Sequence, residues 1–526
     1  MLLDCLASAP GQSGRGISPD GRRTACSSAT LRASMARIVL QGGAYQSRSV
    51  ISSAQRCLNL VPETNPASGD QQVPVTHYPR PGLRKLATPP IAGQSRGLYA
   101  ASNGDLYEVV AGRVYYVNRE LAYTEVGRLP DGVGAISFAD NGDVIAFCDG
   151  IRGYAIDMRT RQFGQIADAA FLGSAYVVGL DTYFIFHEPG TAKFYISLSQ
   201  PSFDNLVNGV VGETSTYAAF DPLDIARKAG AGDRIVALAA VHRELWLIGD
   251  RTSEVWTNTG AADFTFGSVP GAFIDHGCAA PASVATQDIS VFMLSRDAQG
   301  QGIVVQGAGY SVTRISTHAI EAEFQSYKRI DDAQGYTFQQ QGHVYYVLTF
   351  PTANRTWAYD LNTKQWGEWS WTDDNGGQNR HRARTAAFAY GMNLCGDWQN
   401  GSIYAFDGNV FTDDGKPILC LRTFPHLVQD GNRVFYQRFI ADMQVGTLEG
   451  TTTDAPPMVS LRMSDTRGAS YGNPVLQSLG AAGQYDATPT WSRLGMARDR
   501  VFEISWSVPM RTALNGAFVD LQVGQS

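Results

Sequence analysis

Between residues 96 and 419 one local pattern recurs: a short apolar and aromatic run, a turn of Gly, Asp or Asn, and a second run. The lead runs are 105–110, 143–147, 182–186, 244–248, 290–294, 343–348 and 402–406, all too short for helices and rich in Val, Ile, Phe and Tyr. Their markers Leu106, Val144, Phe184, Leu245, Val291, Val344 and Ile403 lie 38 to 61 residues apart, about 50 on average, which suits one four-stranded propeller blade each. Such a sheet has two apolar faces and is stable only between neighbours, so the pattern predicts a closed β-propeller of six or seven blades.

The repeat is also visible residue by residue. Tyr154 to Phe163 aligns without gaps on Trp357 to Trp366, placing Asp157 on Asp360 and Thr160 on Thr363. The expected unit is a hairpin in which Asp bonds the turn backbone, Thr caps it and the aromatics pack against the next blade. It resembles a kelch hairpin without the preceding diglycine, and reads as a generic blade. Trp246, Trp256, Trp357 and Trp366 are then packing residues rather than ligand-stacking ones.

The flanks differ. Residues 35–95 are interrupted by Pro62, Pro66, Pro74, Pro79, Pro81, Pro89 and Pro90, which predicts an extended arm joining a platform rather than a packed helix. From 420 to 526 alternation resumes in longer strands, as in 433–443, 458–463 and 500–506, predicting an antiparallel β-sandwich, the platform-like domain. The first 34 residues are rich in Ser, Arg, Gly and Ala without periodicity, and read as disordered or as a start-site extension.

Composition supports an all-β reading: 11% aromatic, 55 Gly in 526 residues and only 17% charged. A net charge of -7 gives no basic footprint for gripping nucleic acid by its phosphates. One small basic cluster exists, Arg380, His381, Arg382 and Arg384, which reads as a solvated loop tip. The acidic balance suits a wall that DNA slides past. Seven cysteines at 5, 26, 57, 148, 278, 395 and 420 show neither a disulfide framework nor CxxC spacing, and fit synthesis in a reducing cytoplasm. No apolar run is long enough for a membrane-spanning helix.

Chemistry-bearing motifs are scarce. The eight histidines (77, 187, 242, 276, 318, 343, 381 and 426) never take metal-ligand spacing, and nucleophile-elbow, P-loop and dinucleotide fingerprints are absent. The acid pairs Asp373-Asp374 and Asp413-Asp414 each precede a Gly, which is turn chemistry. Ser464 to Gly468 is similar to the Asp-box hairpin of sialidases, itself a structural turn. The expectation is no catalytic residue, no cofactor and no metal.

Several stretches together resemble one family, the packaged-DNA stabilisation or tail hub (nozzle) proteins of short-tailed bacteriophages. They are Arg56-Cys57-Leu58-Asn59 through Glu63, then Pro79-Arg80-Pro81-Gly82-Leu83, and 240–249 running through Glu254 and Trp256 to His276-Gly277-Cys278. Arg314 to Glu321, 342–351, 461–465, 491–495 and 498–502 complete the set. The resemblance covers nearly everything after Met35, and departs at Ser464 to Gly468, where an Asp-Gly-Gly turn is expected. It implies a non-enzymatic virion protein of the tail, assembled in the bacterial host cytoplasm. The implied partners are further copies of itself in a homohexameric ring, the portal adaptor or head-tail connector, and a tail fibre, spike or needle. Genomic DNA would pass through without sequence-specific binding. The 35–95 arm and the 420–526 sandwich would meet neighbouring subunits.

Two other readings stay open: a carbohydrate-binding or glycosidase-like propeller acting as a receptor-binding tail element, and a kelch-like cellular scaffold. The first predicts exposed aromatics and facing carboxylates in the central pocket. The second predicts a monomer.

Overall fold

A computed structural model describes residues 36–40, 46–64, 75–208, 218–446, 456–481 and 483–524. The expectation for residues 1–34 lies outside the described residues. Seven four-stranded antiparallel blades make up the propeller, five as separate sheets and blades 6 and 7 as parts of larger ones. Blade 1 runs from Ser95–Ala100 to Tyr123–Arg128, blade 2 from Ser137–Asp140 to Phe163–Gln165, and blade 3 from Val177–Leu180 to Ile225–Arg227. Blades 4 and 5 begin at Ile235–Val241 and Ala285–Gln287, and blade 6 spans Gln334–Gln340 to Gln365–Thr372. Blade 7 is composite. It takes Ala383–Ala389, Met392–Asp397 and Ile403–Asp407 from the end of the repeat, and its fourth strand, Gly82–Ala87, from before blade 1. The two ends of the propeller are thereby hydrogen-bonded into one sheet, and the ring closes.

Six of the seven sequence markers fall on second strands, as the spacing requires. Ile403 falls on the third strand of blade 7, so the last interval is one strand too long. The gapless internal match is a true structural repeat. Both segments are outer hairpins, and in both the turn is closed by the Asp: the Thr160 amide donates to Asp157 Oδ1 at 2.5 Å, and Thr363 Oγ1 to Asp360 Oδ2 at 2.8 Å. Arg161 and Lys364 occupy equivalent left-handed positions, with φ of 62° and 57°. Trp246, Trp256 and Trp366 are buried between blades and Trp357 is half-buried, its indole N–H donating to the Tyr327 hydroxyl. Trp246 lies flat against Gly307 of blade 5, where a Cβ would come within 2.7 Å of the ring.

Within 35–95 the described strands are all paired. Ala36–Val39, Leu60–Thr64 and Val75–Pro79 join Val434–Gln444, Thr490–Ser492, Met496–Ala497 and Ala513–Val523 in one sheet of the sandwich. Pro62 is tolerated because Leu60–Thr64 is an edge strand of that sheet. Cys57–Leu58 lies parallel to the outer strand of blade 6 and antiparallel to Cys420–Thr423, so blade 6 continues without a break into the second sheet of the sandwich. The two sandwich sheets meet through Phe439, whose ring is 4.9 Å from Phe502 of the other sheet and 5.7 Å from its cross-strand neighbour Trp491. Among the described residues no helix is long and apolar enough to cross a membrane.

Candidate functional site at the domain junction and the central channel

Two of the stretches that carry the family resemblance, 56–63 and 79–83, meet at the junction between propeller and sandwich. Arg80 is 1% exposed and its guanidinium is fully engaged. It donates to Asn59 Oδ1 at 2.9 Å, to the carbonyls of Pro81 and Ser370 at 2.9 and 2.8 Å, and to both oxygens of Asp413 at 3.1 and 2.5 Å. Asn59 holds the other side. Its amide donates to Ser370 Oγ and the Leu419 carbonyl, its Oδ1 also accepts the Ser370 N–H, and its backbone is left-handed at φ 55°. Asn is one of the few residues that tolerate this conformation. The following Gly82 passes so close to blade 7 that a Cβ would sit 2.2 Å from the Val410 carbonyl oxygen. One knot of fully satisfied polar groups therefore ties the arm to blade 6 (Ser370), to the segment after blade 7 (Asp413) and to the entry into the sandwich (Leu419). Arg56 adds a two-point pair to Glu368 on blade 6, at 2.8 and 3.0 Å.

Close by, His343 of blade 6 lies between two carboxylates. Nδ1 is 2.8 Å from Asp360 and Nε2 is 3.3 Å from Glu63 on the sandwich strand Leu60–Thr64. The hydrogen bond to Asp360 lifts the imidazole above its ordinary pKa against the opposing effect of burial, and Glu63 adds to the lift. Burial raises the Asp360 carboxyl, but hydrogen bonds from His343, Asn362 and Thr363 outweigh it and hold it below the usual range.

The central channel is lined by the innermost strand of every blade and encloses about 630 Å³. Its lining holds one carboxylate, Asp140, which accepts from the Tyr99 hydroxyl at 2.6 Å and from the Ser102 and Gly142 amides. The candidate acid pairs are elsewhere. Asp373 caps its own turn through the Asn375 and Gly377 amides, Asp374 pairs with Lys416, Asp413 is in the knot, and Asp414 lies 3.7 Å from Lys85 and 3.8 Å from Arg382. No two of them face each other across the channel.

The basic cluster at 380–384 corrects the reading of a solvated loop tip. His381 is fully buried and Arg382 and Arg384 are 5% and 6% exposed. Arg382 pairs with buried Asp397 at 2.6 Å and lies over the rings of Trp371 and Tyr404. Burial, with Arg80 and Arg382 nearby, keeps His381 well below its ordinary pKa and therefore neutral. The composition of the cluster suggested solvent, but its place at the start of an innermost strand decided otherwise. Glu108 was missed altogether. It sits buried in the apolar run of blade 1, accepts from the Tyr123 hydroxyl at 2.9 Å, and burial pushes its pKa up to about 8. Among the described residues no group of His, Cys, Asp or Glu forms a metal cluster, and the five described cysteines are buried and free.

The remaining family stretches are joints as well. Glu321 accepts from Arg314 and from Ser316 Oγ at the start of helix His318–Ser326. The Cys278 amide donates to the Gly249 carbonyl at 2.8 Å. At Ser464 to Gly468, where the family pattern departs, Ser464 Oγ accepts the Gly468 amide and Asp465 pairs with buried Arg500 at 2.6 Å, so the turn is closed by other means.

A seven-bladed propeller welded to a sandwich, with residues such as Asn59 and Arg80 engaged in joints, defines a structural β-block. Residues 36–411 match the family model of the β-propeller of bacteriophage P22 Gp10, and residues 421–522 match that of its β-sandwich. The chain belongs to this family of phage structural proteins, the DNA-stabilisation and tail hub family. No curated protein sequence matches it. Similar solved structures include the Cps50 (Swd1) propeller of Myceliophteria thermophila, at 7% identity and TM-score 0.38 over 61% of this chain and 98% of that one. YCF48 from Cyanidioschyzon merolae is 11% identical at TM-score 0.37, over 62% of this chain and 99% of that one. The extracellular domain of a putative hybrid two component system from B. thetaiotaomicron is 10% identical at TM-score 0.41, over 80% and 56%. These likenesses are too distant to carry an argument.

Two predictions follow from the junction. Arg80→Ala leaves the Asp413 carboxylate buried and unpaired, and should lower unfolding free energy by about 3–5 kcal/mol in a urea titration. Adding Asp413→Leu to Arg80→Met should recover most of that loss, because the apolar pair leaves no orphaned charge. The His343 contribution is fully present below the unfolded histidine pKa and is lost as pH rises through the raised folded value. The Asp360 contribution is lost as pH falls through its depressed value. The thermal destabilisation by His343→Gln should thus be largest between about pH 4 and 6.5 and shrink above it. A difference independent of pH contradicts the assignment.

Proposed function

We propose that the chain is a non-enzymatic subunit of a short phage tail, forming a ring below the portal adaptor that extends the DNA channel. The ring helps retain the packaged genome and anchors fibres or a needle. What carries this reading is the junction: a propeller fixed rigidly to a sandwich by continuous sheet and a buried arginine knot. A subunit bearing the load of packed DNA needs such a block, and a ligand cup does not.

The sandwich is the better candidate for subunit contacts than the arm, whose strands are used within the chain. Val475–Ser478 ends its sheet in the described structure, with Val475 and Leu476 exposed. Unpaired apolar edge strands are templates for pairing with another chain. On the other sheet Phe435 and Met496 are direct cross-strand neighbours, 41% and 47% exposed. The receptor-binding glycosidase reading is disfavoured by the channel, which offers a single, hydrogen-bonded carboxylate where that chemistry needs two.

Native mass measurement of the soluble chain or of purified particles tests the proposal. A six-fold ring is expected. A stable monomer under all conditions contradicts it.

A further inference from the structure

The channel has a second feature that ring assembly does not use. Two arginines, Arg96 at the start of the innermost strand of blade 1 and Arg384 at the start of that of blade 7, line it side by side. Ser95 Oγ and Thr385 Oγ1 touch at 3.3 Å between them. Both heads reach the same exposed loop, residues 131–135. Arg384 donates to the Val133 carbonyl at 2.6 Å, and Arg96 donates to the next carbonyl, Gly134, at 2.8 Å. Their other partners are neutral too: the Ala111 carbonyl at 3.0 Å for Arg96, and the Gln94 side chain for Arg384.

Neither guanidinium has an ion pair among the described residues, although Arg96 is 3% and Arg384 6% exposed. Arg380 stands behind them as a third charge. It lies 4.0 Å over the Trp398 ring with no side-chain hydrogen bond, and the indole N–H of Trp398 is itself buried without a partner. The nearby carboxylates make no ion pair with Arg96, Arg380 or Arg384. Asp397 is held by Arg382, Asp149 accepts the Ile151 and Arg152 amides and the Tyr154 hydroxyl, and Asp332 accepts the Thr352 amide while its buried Oδ1 has no hydrogen-bond partner. Asp131 in the loop is exposed and beyond ion-pair distance. Burial, with the charges of Arg380 and Arg96, pushes the Arg384 pKa down to about 10; burial also lowers those of Arg96 and Arg380, opposed by Asp149 and Asp131 at the first and by Asp332 and Asp397 at the second.

Buried cations without an ion pair are unfavourable, and low-dielectric walls focus their field into the channel. Each guanidinium has five N–H groups in a planar fork, so both heads retain donors beyond the bonds described. Forks of this kind match the oxygens of a phosphate, and a dianion balances the charge of two of them. We propose that Arg96 and Arg384, backed by Arg380, form an oxyanion site at one mouth of the propeller channel that binds a phosphate group. The group is either inorganic phosphate or the head of a phosphomonoester, for which the 630 Å³ channel leaves room.

Titration calorimetry of the full chain tests this with two probes at constant ionic strength, sodium phosphate and adenosine monophosphate, against sodium chloride. Saturable binding at one site per chain is expected. Equal affinity for the two probes assigns the site to free phosphate, and tighter monophosphate binding assigns it to a phosphomonoester. Arg384→Gln should abolish binding. Arg380→Gln, whose side chain makes no hydrogen bond to lose, should fold normally and weaken binding roughly three- to tenfold. No saturable binding of either probe up to about 10 mM overturns the proposal. So does binding unchanged in the Arg380→Gln variant.

Discussion

Everything in this molecule that goes beyond a generic propeller depends on one buried charge being satisfied. Arg80 joins the arm to two segments 290 and 333 residues further along the chain, and its five contacts include a carboxylate from beyond blade 7 and a carbonyl from blade 6. A buried ion pair adds little net stability over an apolar pair of similar shape. What it adds here is selection of register. Only one arrangement of arm, blade 6 and blade 7 satisfies Asn59, Arg80 and Asp413 together, and any slip leaves a charge unpaired in a dry interior. The arm then continues in two directions, back into the sandwich and forward to close the ring with Gly82–Ala87.

The propeller was legible because its periodicity is local. Alternating apolar runs, turns every few residues and the Asp-to-Thr hairpin are set within tens of residues, and the structure places them as the pattern requires. The blade number and the origin of the last strand were not legible, because closure pairs residues near 85 with residues near 405 and leaves no local trace. The same holds for the arm. Its prolines read as an extended chain, but nothing in 35–95 says which sheet each described strand will enter.

Charge was the least readable property. The cluster at 380–384 has the composition of a surface loop, yet it leads into an innermost strand, His381, Arg382 and Arg384 are buried, and Arg382 takes its partners from Asp397, Trp371 and Tyr404. Glu108 likewise hides in an apolar run. Such groups are placed by tertiary closure, which brings a counter-charge or a ring face to them, and a sequence window contains neither. The junction itself was half visible: Arg56, Asn59, Arg80 and Gly82 stood out by family resemblance, while their physical task emerged only from the contacts.

The central claim is that propeller and sandwich form one mechanical unit through the arm. Native-state hydrogen exchange of the intact chain measures this directly. If the claim holds, amides of Cys57–Leu58, Gly82–Ala87 and Cys420–Thr423 exchange only with global unfolding, as slowly as the blade cores. If those strands exchange early while both domains remain protected, the junction is a loose linker and the account of a rigid block is wrong.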